Sequence, residues 1–457
     1  MTINLTPEVI IMVLEIIHSG ITTPQRCASK NDVVDHVKSA QHYAFLKRYL
    51  NKKRDMIEDD ICLELCSPDT GLVKYRMFVV DRKEKSSLKF AILVVIQGRE
   101  TEWLFSTPQG RQQLANNVNC ERLIVVHLLR DNVYSSFEEV KNDLSAKVLE
   151  LAPASCKEQV PILSIGDDVG QRDIRCKGKS DVSGEFVVED VLSNKDLYRR
   201  LIFLNSPYII QSEAKLLAKK KKKGSSKLQI DFDYIACDHH NAIISGFAFL
   251  KDKMLCPNIL LIGLGGGTLP MYIHKHFPDA NVEVVELDSC IFDVAKRWFN
   301  LVTDNRLKVH ISDGLIFIQE AVMKGFNYDI VILDVDNKDM SLGISGPPVT
   351  FLETTVLQSM LELTSDLGLV IINLACRNSE LYKEAYSKLK SVFKGMYSRK
   401  IPEEVNEVIY CIKTDDQKNI LNEYTDNYSS LKSFIKKQST YSDAFDFDIA
   451  TCLTEIT

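Results

Sequence analysis

The chain has 457 residues, room for two or three domains at about 100–200 residues each. It is 45% hydrophobic and 26% charged with a formal net charge of −6, a balance that gives no general attraction to nucleic acid or an anionic membrane. Its apolar runs stay far short of the roughly 20 residues that span a bilayer, and its 12 cysteines form no CxxC pair, so a cytoplasmic chain with reduced thiols is expected.

The first segment, 1–55, reads as helical, with an apolar-periodic stretch from Pro7 to His18 and a charged one from Asp32 to Asp55. A strand-rich α+β region is expected over 56–180. ICLELC, YRMFVV, FAILVVI and RLIVVHLL are short β-branched runs separated by turn chemistry. Residues 136–151 read as one helix, with Phe137, Val140, Leu144 and Val148 at helical spacing, and VPILSIG resumes strand. Polar sequence from Asp167 to Gly184 reads as an exposed loop. Residues 181–228 hold a β-hairpin, GEFVVEDVLSNKDLYRRLIFLNS, and a lysine run at 219–223 that reads as a solvated linker.

Over 229–457 the pattern becomes regular β/α alternation. ILLIG, VEVVELD, LKVHIS, YDIVILDV and GLVIINLA are strands, with helices beginning near Thr268, Cys290, Gly314 and Val349. A helix over 380–393 leads to MYSRKI and EVIYCIK, an antiparallel pair. Alternation of this kind implies a parallel sheet with right-handed crossovers. The fold class is therefore α/β: a Rossmann-like, seven-stranded domain preceded by a β-hairpin and a strand-rich α+β region.

The strand at 259–262 opens into Gly263, Gly265, Gly266 and Gly267. Glycines there let the chain turn sharply and let backbone N–H groups approach a ligand. A dinucleotide fingerprint wants glycine where this chain has Thr268, and no Gly-Lys-Ser/Thr follows to make a triphosphate loop. Glu286 ends the second strand, where a carboxylate can accept ribose hydroxyls. Asp313 ends the third, placed to receive an adenine amine or simply to cap the helix beginning at Gly314. Asp334 and Asp336 end the fourth. Acids at three successive strand ends suit a cationic cofactor that carries adenosine, S-adenosyl-L-methionine, and hence methyl or aminopropyl transfer.

YRRLIFLNSPYIIQSEAKLL, HHNAIISGFAFL and ILLIGLGGG together resemble the spermidine synthase-like class I methyltransferase superfamily, in which a hairpin bearing a glutamine (here Gln211) precedes the Rossmann-like domain. GLGGGTLPMYIHKHFP, VEVVELD, LDVDNKDMSLGISGPP and NLACR, with QGRETEWLF and LELAP upstream, are similar to the C-terminal portion of the family of dual methyltransferases of translation elongation factor 1-alpha. The resemblance covers essentially the whole chain. It implies S-adenosyl-L-methionine as cofactor and the N-terminal α-amine of elongation factor 1-alpha as the methyl acceptor. No second glycine loop precedes Tyr234, so the lysine-directed domain is expected to be absent and 1–55 to be its helical remnant.

On this reading Gly263, Gly265, Gly266, Gly267, Glu286, Leu287, Asp313, Gly314 and Asp334 bind the cofactor. Asp334, Asp336 and Asn337 carry the catalytic role, and Gln211, Asp238 and His239 meet the substrate. No metal ligand set, nucleic acid or membrane partner is expected, and the resemblance implies a homodimer. His239 and His240 read as surface or hydrogen-bonded residues, and His274 and His276 as solvent-facing. Two other functions stand beside this one: a polyamine aminopropyltransferase and a non-catalytic interaction protein. The first is weakened because the polyamine-binding Tyr-His-Glu pattern is here Cys237-Asp238-His239-His240-Asn241, and the Asp-Ser-Ser-Asp pattern is Asp334-Val335-Asp336-Asn337. The second is weakened by the intact glycine loop and acids.

Overall fold

The computed structural model describes residues 61–456 apart from 68, 69, 71, 83, 87, 150, 154, 155, 157–159, 167, 194, 221–225, 338–342, 403, 414–419, 440 and 442–452. The helices expected within 1–55 lie outside the described residues. Two compact units divide the chain between Gln171 and Arg172.

The first unit is a five-stranded sheet of β1 (Ile61–Cys66), β2 (Val73–Asp81), β3 (Leu88–Val95), β4 (Cys120–Leu128) and β5 (Ile162–Ser164), in the order β1-β2-β4-β3-β5. The expected strands and the helix Phe137–Leu149 are present, together with a helix Pro108–Val118 capped by the Thr107 side chain on the Gly110 N–H. β3 pairs in parallel with β4 and β5, and the helices fill the two crossovers. Every residue of β4 is buried, as a central strand covered on both faces must be.

The second unit begins with an antiparallel sheet of β6 (Arg172–Ser180), β7 (Gly184–Ser193), β8 (Asp196–Phe203), β9 (Ser212–Lys220) and β10 (Ser226–Ile230), in the order β10-β9-β8-β7-β6. Two expectations fail here. The stretch read as an exposed loop is largely the edge strand β6. Its sequence, RDIRCKGKS, is polar because only Ser180 of its nine residues is buried, so the alternation that marks a half-buried strand is missing. The lysine run is not an interdomain linker at its start: β9 continues to Lys220, which pairs with Ser226 of β10. The sheet thus spans 172–230, wider than the hairpin expected from the sequence.

A nine-stranded sheet follows, made of β11 (Asn258–Ile262), β12 (Asn281–Glu286), β13 (Leu307–Ile311), β14 (Tyr328–Leu333), β15 (Ile344–Gly346), β16 (Thr364–Cys376), β17 (Gly395–Lys400), β18 (Asn406–Ile412) and β19 (Thr454–Glu455). The seven expected strands run β13-β12-β11-β14-β16-β18-β17, with β19 beyond β17 and the short β15 on β16. The first five are parallel and β18 is antiparallel to both its neighbours, which is the Rossmann-like layout read from the sequence. Successive side chains of β11 enter opposite cores: Ile259 and Leu261 on one face, Leu260 and Ile262 on the other. The chain order reverses between β11 and β14, and ligands of open α/β sheets bind at the carboxyl ends of such neighbours.

A helix Ile420–Gln438, unread in the sequence, buries Tyr424, Tyr428, Leu431 and Ile435 in the same core as Ile259. His276 also departs from expectation. It is buried, with Nε2 3.1 Å from Asp233 and 3.2 Å from the Phe232 carbonyl. His274 is mostly covered and lies 2.8 Å from Asp304. Among the described residues no helix is long and apolar enough to cross a membrane.

Candidate functional site

The glycine loop leaves β11 at Gly263, whose φ of +103° strains any residue with a side chain. A Cβ there would sit 2.0 Å from the Asp334 carbonyl oxygen, so the missing side chain is what lets the loop and the end of β14 touch. The Asp334 N–H in turn donates to the Ile262 carbonyl at 3.0 Å. Gly265, at φ +53°, faces the antiparallel sheet: its Cβ would meet Ser212 Oγ at 2.6 Å and lie 3.5 Å from the Gln211 carbonyl. Ser212 Oγ accepts the Gly266 N–H at 2.7 Å and donates to the Gln211 carbonyl at 2.7 Å. The expected Gln211 therefore reaches the loop through its backbone, and Ser212, which the sequence reading passed over, makes the direct contact. The sheet is held there because Phe186, Leu201 and Leu216 share a core with Ile291, Val294 and Phe299 from the helix Ser289–Trp298 and its end.

Glu286 is placed at the end of β12 beside this loop. Its Oε2 accepts the Leu264 N–H at 3.1 Å and its Oε1 the Asp288 N–H at 2.8 Å, which fixes the carboxylate. Leu287 is 54% exposed, an apolar side chain left open next to that carboxylate. Asp313 caps the helix Gly314–Met323 through Oδ1, which accepts the Leu315 and Ile316 N–H groups. The cap explains its residue type, and Oδ2 is left available to a ligand. Gly314 is packed tightly, with Ile262 and Phe351 side chains where a Cβ would go.

Around Asp334 the structure assembles groups from distant parts of the chain. Asn373 Nδ2 donates to its Oδ1 at 2.9 Å, and Asn406 Nδ2 donates to Asn373 Oδ1 at 3.0 Å. His240 Nε2 lies 3.2 Å from its Oδ2. Burial works to raise the Asp334 carboxyl, but the His240 hydrogen bond, the two neighbouring imidazoles and the Asn373 donor outweigh it and hold the group well below the usual carboxylate range. His239 stacks edge-on to His240 with ring centroids 4.4 Å apart, and its Nδ1 is 4.0 Å from Glu404. Burial, and then His240, push His239 down to about 4 against the pull of Asp334. His240, Asn373, Asn406 and Glu404 escaped the sequence reading because they come from three separate segments. Only the HHN run offered a signal, and it read as surface.

The other expected residues divide. Asp238 is exposed in the first turn of the helix Asp238–Ser245, next to His239. Asp336 is half-buried two residues beyond Asp334. Asn337 is buried, and its amide donates to the Ile344 carbonyl at 2.9 Å while its N–H donates to Ser345, so it ties the segment to β15. Cys237 precedes the helix. Burial, and then the carboxylates of Glu213, Glu404 and Asp334, push its thiol well up. One donor atom from each of Cys237, His239 and His240 lies within 4.8 Å of the others.

Comparison with known proteins places these residues in context. The spermine/spermidine synthase domain family matches residues 238–423. The chain is 40% identical over 454 residues to the eEF1A lysine and N-terminal methyltransferase of Xenopus laevis, covering 92% of this chain and 65% of that protein. It is 38% identical over 448 residues to the Homo sapiens protein of that name, covering 91% and 64%. The chain thus spans just under two thirds of the length of these relatives. A crystal structure of human methyltransferase-like protein 13 in complex with SAH is 35% identical, with a TM-score of 0.43, over 47% of this chain and 99% of that one.

Proposed function

We propose that this chain, which is similar over more than nine tenths of its length to the eEF1A lysine and N-terminal methyltransferases, is an S-adenosyl-L-methionine-dependent methyltransferase whose acceptor is the N-terminal α-amine of translation elongation factor 1-alpha. The observation that carries the reading is the contact between the glycine loop and Asp334. A cradle that a single Cβ would fill and a half-buried carboxylate held ionised share one wall of the crevice.

The residues fit the cofactor. Glu286, already oriented by two backbone N–H groups, accepts ribose hydroxyls. Asp313 Oδ2 receives the adenine amine, and Leu287 covers the apolar face of the base. The open backbone at residues 263–267 admits the amino-acid end, with Ser212 closing the loop from the other side. S-adenosyl-L-methionine supplies the electrophilic methyl group when bound.

The protein's contribution is then position and charge. Asp334 attracts the incoming ammonium and, gripped by Asn373 on one oxygen and His240 on the other, aims it at the loop. An α-amine has an unperturbed pKa of roughly 7.7–8.0, so an appreciable fraction has already lost its proton to solvent near neutrality, unlike a lysine at about 10.4. Asp336 and Asp238 extend the negative surface that receives the substrate, and Asn337 fixes the backbone carrying Asp334 and Asp336. A substrate of this kind puts the enzyme in the cytoplasm. Sedimentation velocity tests the homodimer that the resemblance implies.

The test is methyl transfer from S-adenosyl-L-methionine to two synthetic peptides with the elongation factor's N-terminal sequence, one with a free α-amine and one acetylated. Transfer to the free peptide alone supports the reading. Equal labelling of both, or labelling of neither, contradicts it. The spermine/spermidine synthase match keeps aminopropyl transfer as the second reading, and decarboxylated cofactor with putrescine tests it in the same assay.

A further inference from the structure

We propose that Cys237, His239 and His240 form a binding site for a thiophilic divalent cation of the zinc class, and that its occupation closes the acceptor side of the crevice to substrate. The second half rests on the placement of Asp334 at the acceptor position under Proposed function; the first half does not.

The three donors belong to one turn of chain, at the entry to the helix Asp238–Ser245, and one donor atom from each lies within 4.8 Å of the others. Tetrahedral zinc takes thiolate sulfur at about 2.3 Å and imidazole nitrogen at about 2.0–2.1 Å, which sets donors roughly 3.3–3.6 Å apart. Donors within 4.8 Å of one another need approach by only about 1 Å to reach that spacing. Two carboxylates stand beside the imidazoles. Asp334 holds Nε2 of His240 at 3.2 Å, and Glu404 lies 4.0 Å from Nδ1 of His239. Asp334 is thus within hydrogen-bond reach of the His240 ring, as outer-shell carboxylates are of ligating imidazoles, and Glu404 adds negative charge beside His239.

The donor types select the ion. One sulfur and two imidazoles favour zinc-class metals over magnesium or calcium, which want oxygen. A helix N-terminus alone disfavours a cation. Here the negative charges of Asp334, Glu404 and Glu213, all acting on Cys237, offset that field. On binding, the Cys237 S–H bond is replaced by a sulfur–metal bond and the proton leaves to solvent. Three protein donors leave a fourth coordination position open, and Asp334, 3.2 Å from His240 Nε2, stands beside the site. An amine that enters takes that position with its lone pair, and a lone pair held on a metal cannot attack a methyl group. The site is therefore inhibitory, a means of coupling transfer to free zinc.

The test uses the full chain. Co2+ is titrated as a spectroscopic stand-in, with the thiolate-to-cobalt charge-transfer band as readout, and Zn2+ displaces it in competition. The parent chain is expected to show the band, and Cys237→Ser and Cys237→Ala to lose it. Their zinc affinity should fall by more than the ~10–100-fold that loss of an outer-shell partner costs. Transfer by the parent should be blocked by zinc and restored by chelator, whereas Cys237→Ser keeps parental transfer in both conditions. A band that persists in both Cys237 variants, or no band in the parent, overturns the metal site. A Cys237-dependent band without zinc sensitivity of transfer overturns the blocking role. Absence of transfer in every metal-free sample overturns the methyltransferase reading instead, and leaves the cobalt band to decide the site.

Discussion

Replacing Glu286 with glutamine removes one charge and changes almost no volume. In the parent each carboxylate oxygen accepts a backbone N–H, from Leu264 at 3.1 Å and Asp288 at 2.8 Å. Glutamine keeps one acceptor and turns an NH2 toward the other donor, so one N–H loses its partner. That costs the loop about 1–3 kcal/mol. The ribose hydroxyls lose a charge-assisted acceptor, another ~1.5–3 kcal/mol of cofactor binding. At 1.4 kcal/mol per tenfold, the dissociation constant for S-adenosylmethionine should rise by roughly 10–150-fold. Isothermal titration calorimetry on the folded variant reads this directly. Glu320→Gln, on an exposed helix pair with Lys324, is the control and should change nothing, because exposed pairs contribute little. A Glu286→Gln chain that folds and binds cofactor within about twofold of the parent would refute the assignment.

Three further outcomes follow from the same geometry. Gly263→Ala puts a methyl 2.0 Å from the Asp334 carbonyl oxygen at φ +103°; it should destabilise the second unit by at least ~2 kcal/mol and abolish cofactor binding, read by thermal melting and calorimetry. Asn373→Ala removes a donor from Asp334 without touching the loop. Transfer efficiency should drop about tenfold through the acceptor's KM, with cofactor affinity unchanged; a matching loss of both would mark Asn373 as merely structural. In the first unit, burial pushes His127 down to about 4, outweighing the opposing pull of Glu100. The unfolded chain takes up this proton near pH 6.5, whereas the folded unit refuses it until about 4, so stability is full above 6.5 and falls as pH drops through that window. The loss is on the order of 3 kcal/mol. Denaturant midpoints followed at Trp103 in a Trp298→Phe background should show that slope, and His127→Gln should flatten it.

Much of the second unit was readable from sequence because its signals are local. β11 and β14 carry apolar runs at 259–262 and 330–333, the glycines sit where β11 must turn, and Glu286, Asp313 and Asp334 lie at or just beyond strand ends. Where the sequence misled, the cause is pairing across distance. RDIRCKGKS looked like a loop because an edge strand facing outward carries no apolar alternation. His276 looked solvent-facing because nothing nearby in sequence announces Asp233. Asn337 groups with Asp334 and Asp336 in the sequence, and only the β15–β16 pairing reveals that its amide bonds Ile344. The residues gathered around Asp334 were invisible for the same reason: Asn373 lies on β16, Asn406 on β18 and His240 on a helix of its own.

The central claim is that this crevice methylates a protein's first amine. The most direct measurement incubates the full chain with isotope-labelled S-adenosyl-L-methionine and recombinant elongation factor 1-alpha bearing a free N-terminus, then maps the label by mass spectrometry of the digest. Label confined to the N-terminal peptide, and lost with Asp334→Asn, is the predicted result. Label on an internal lysine, or transfer undiminished by Asp334→Asn, would contradict it.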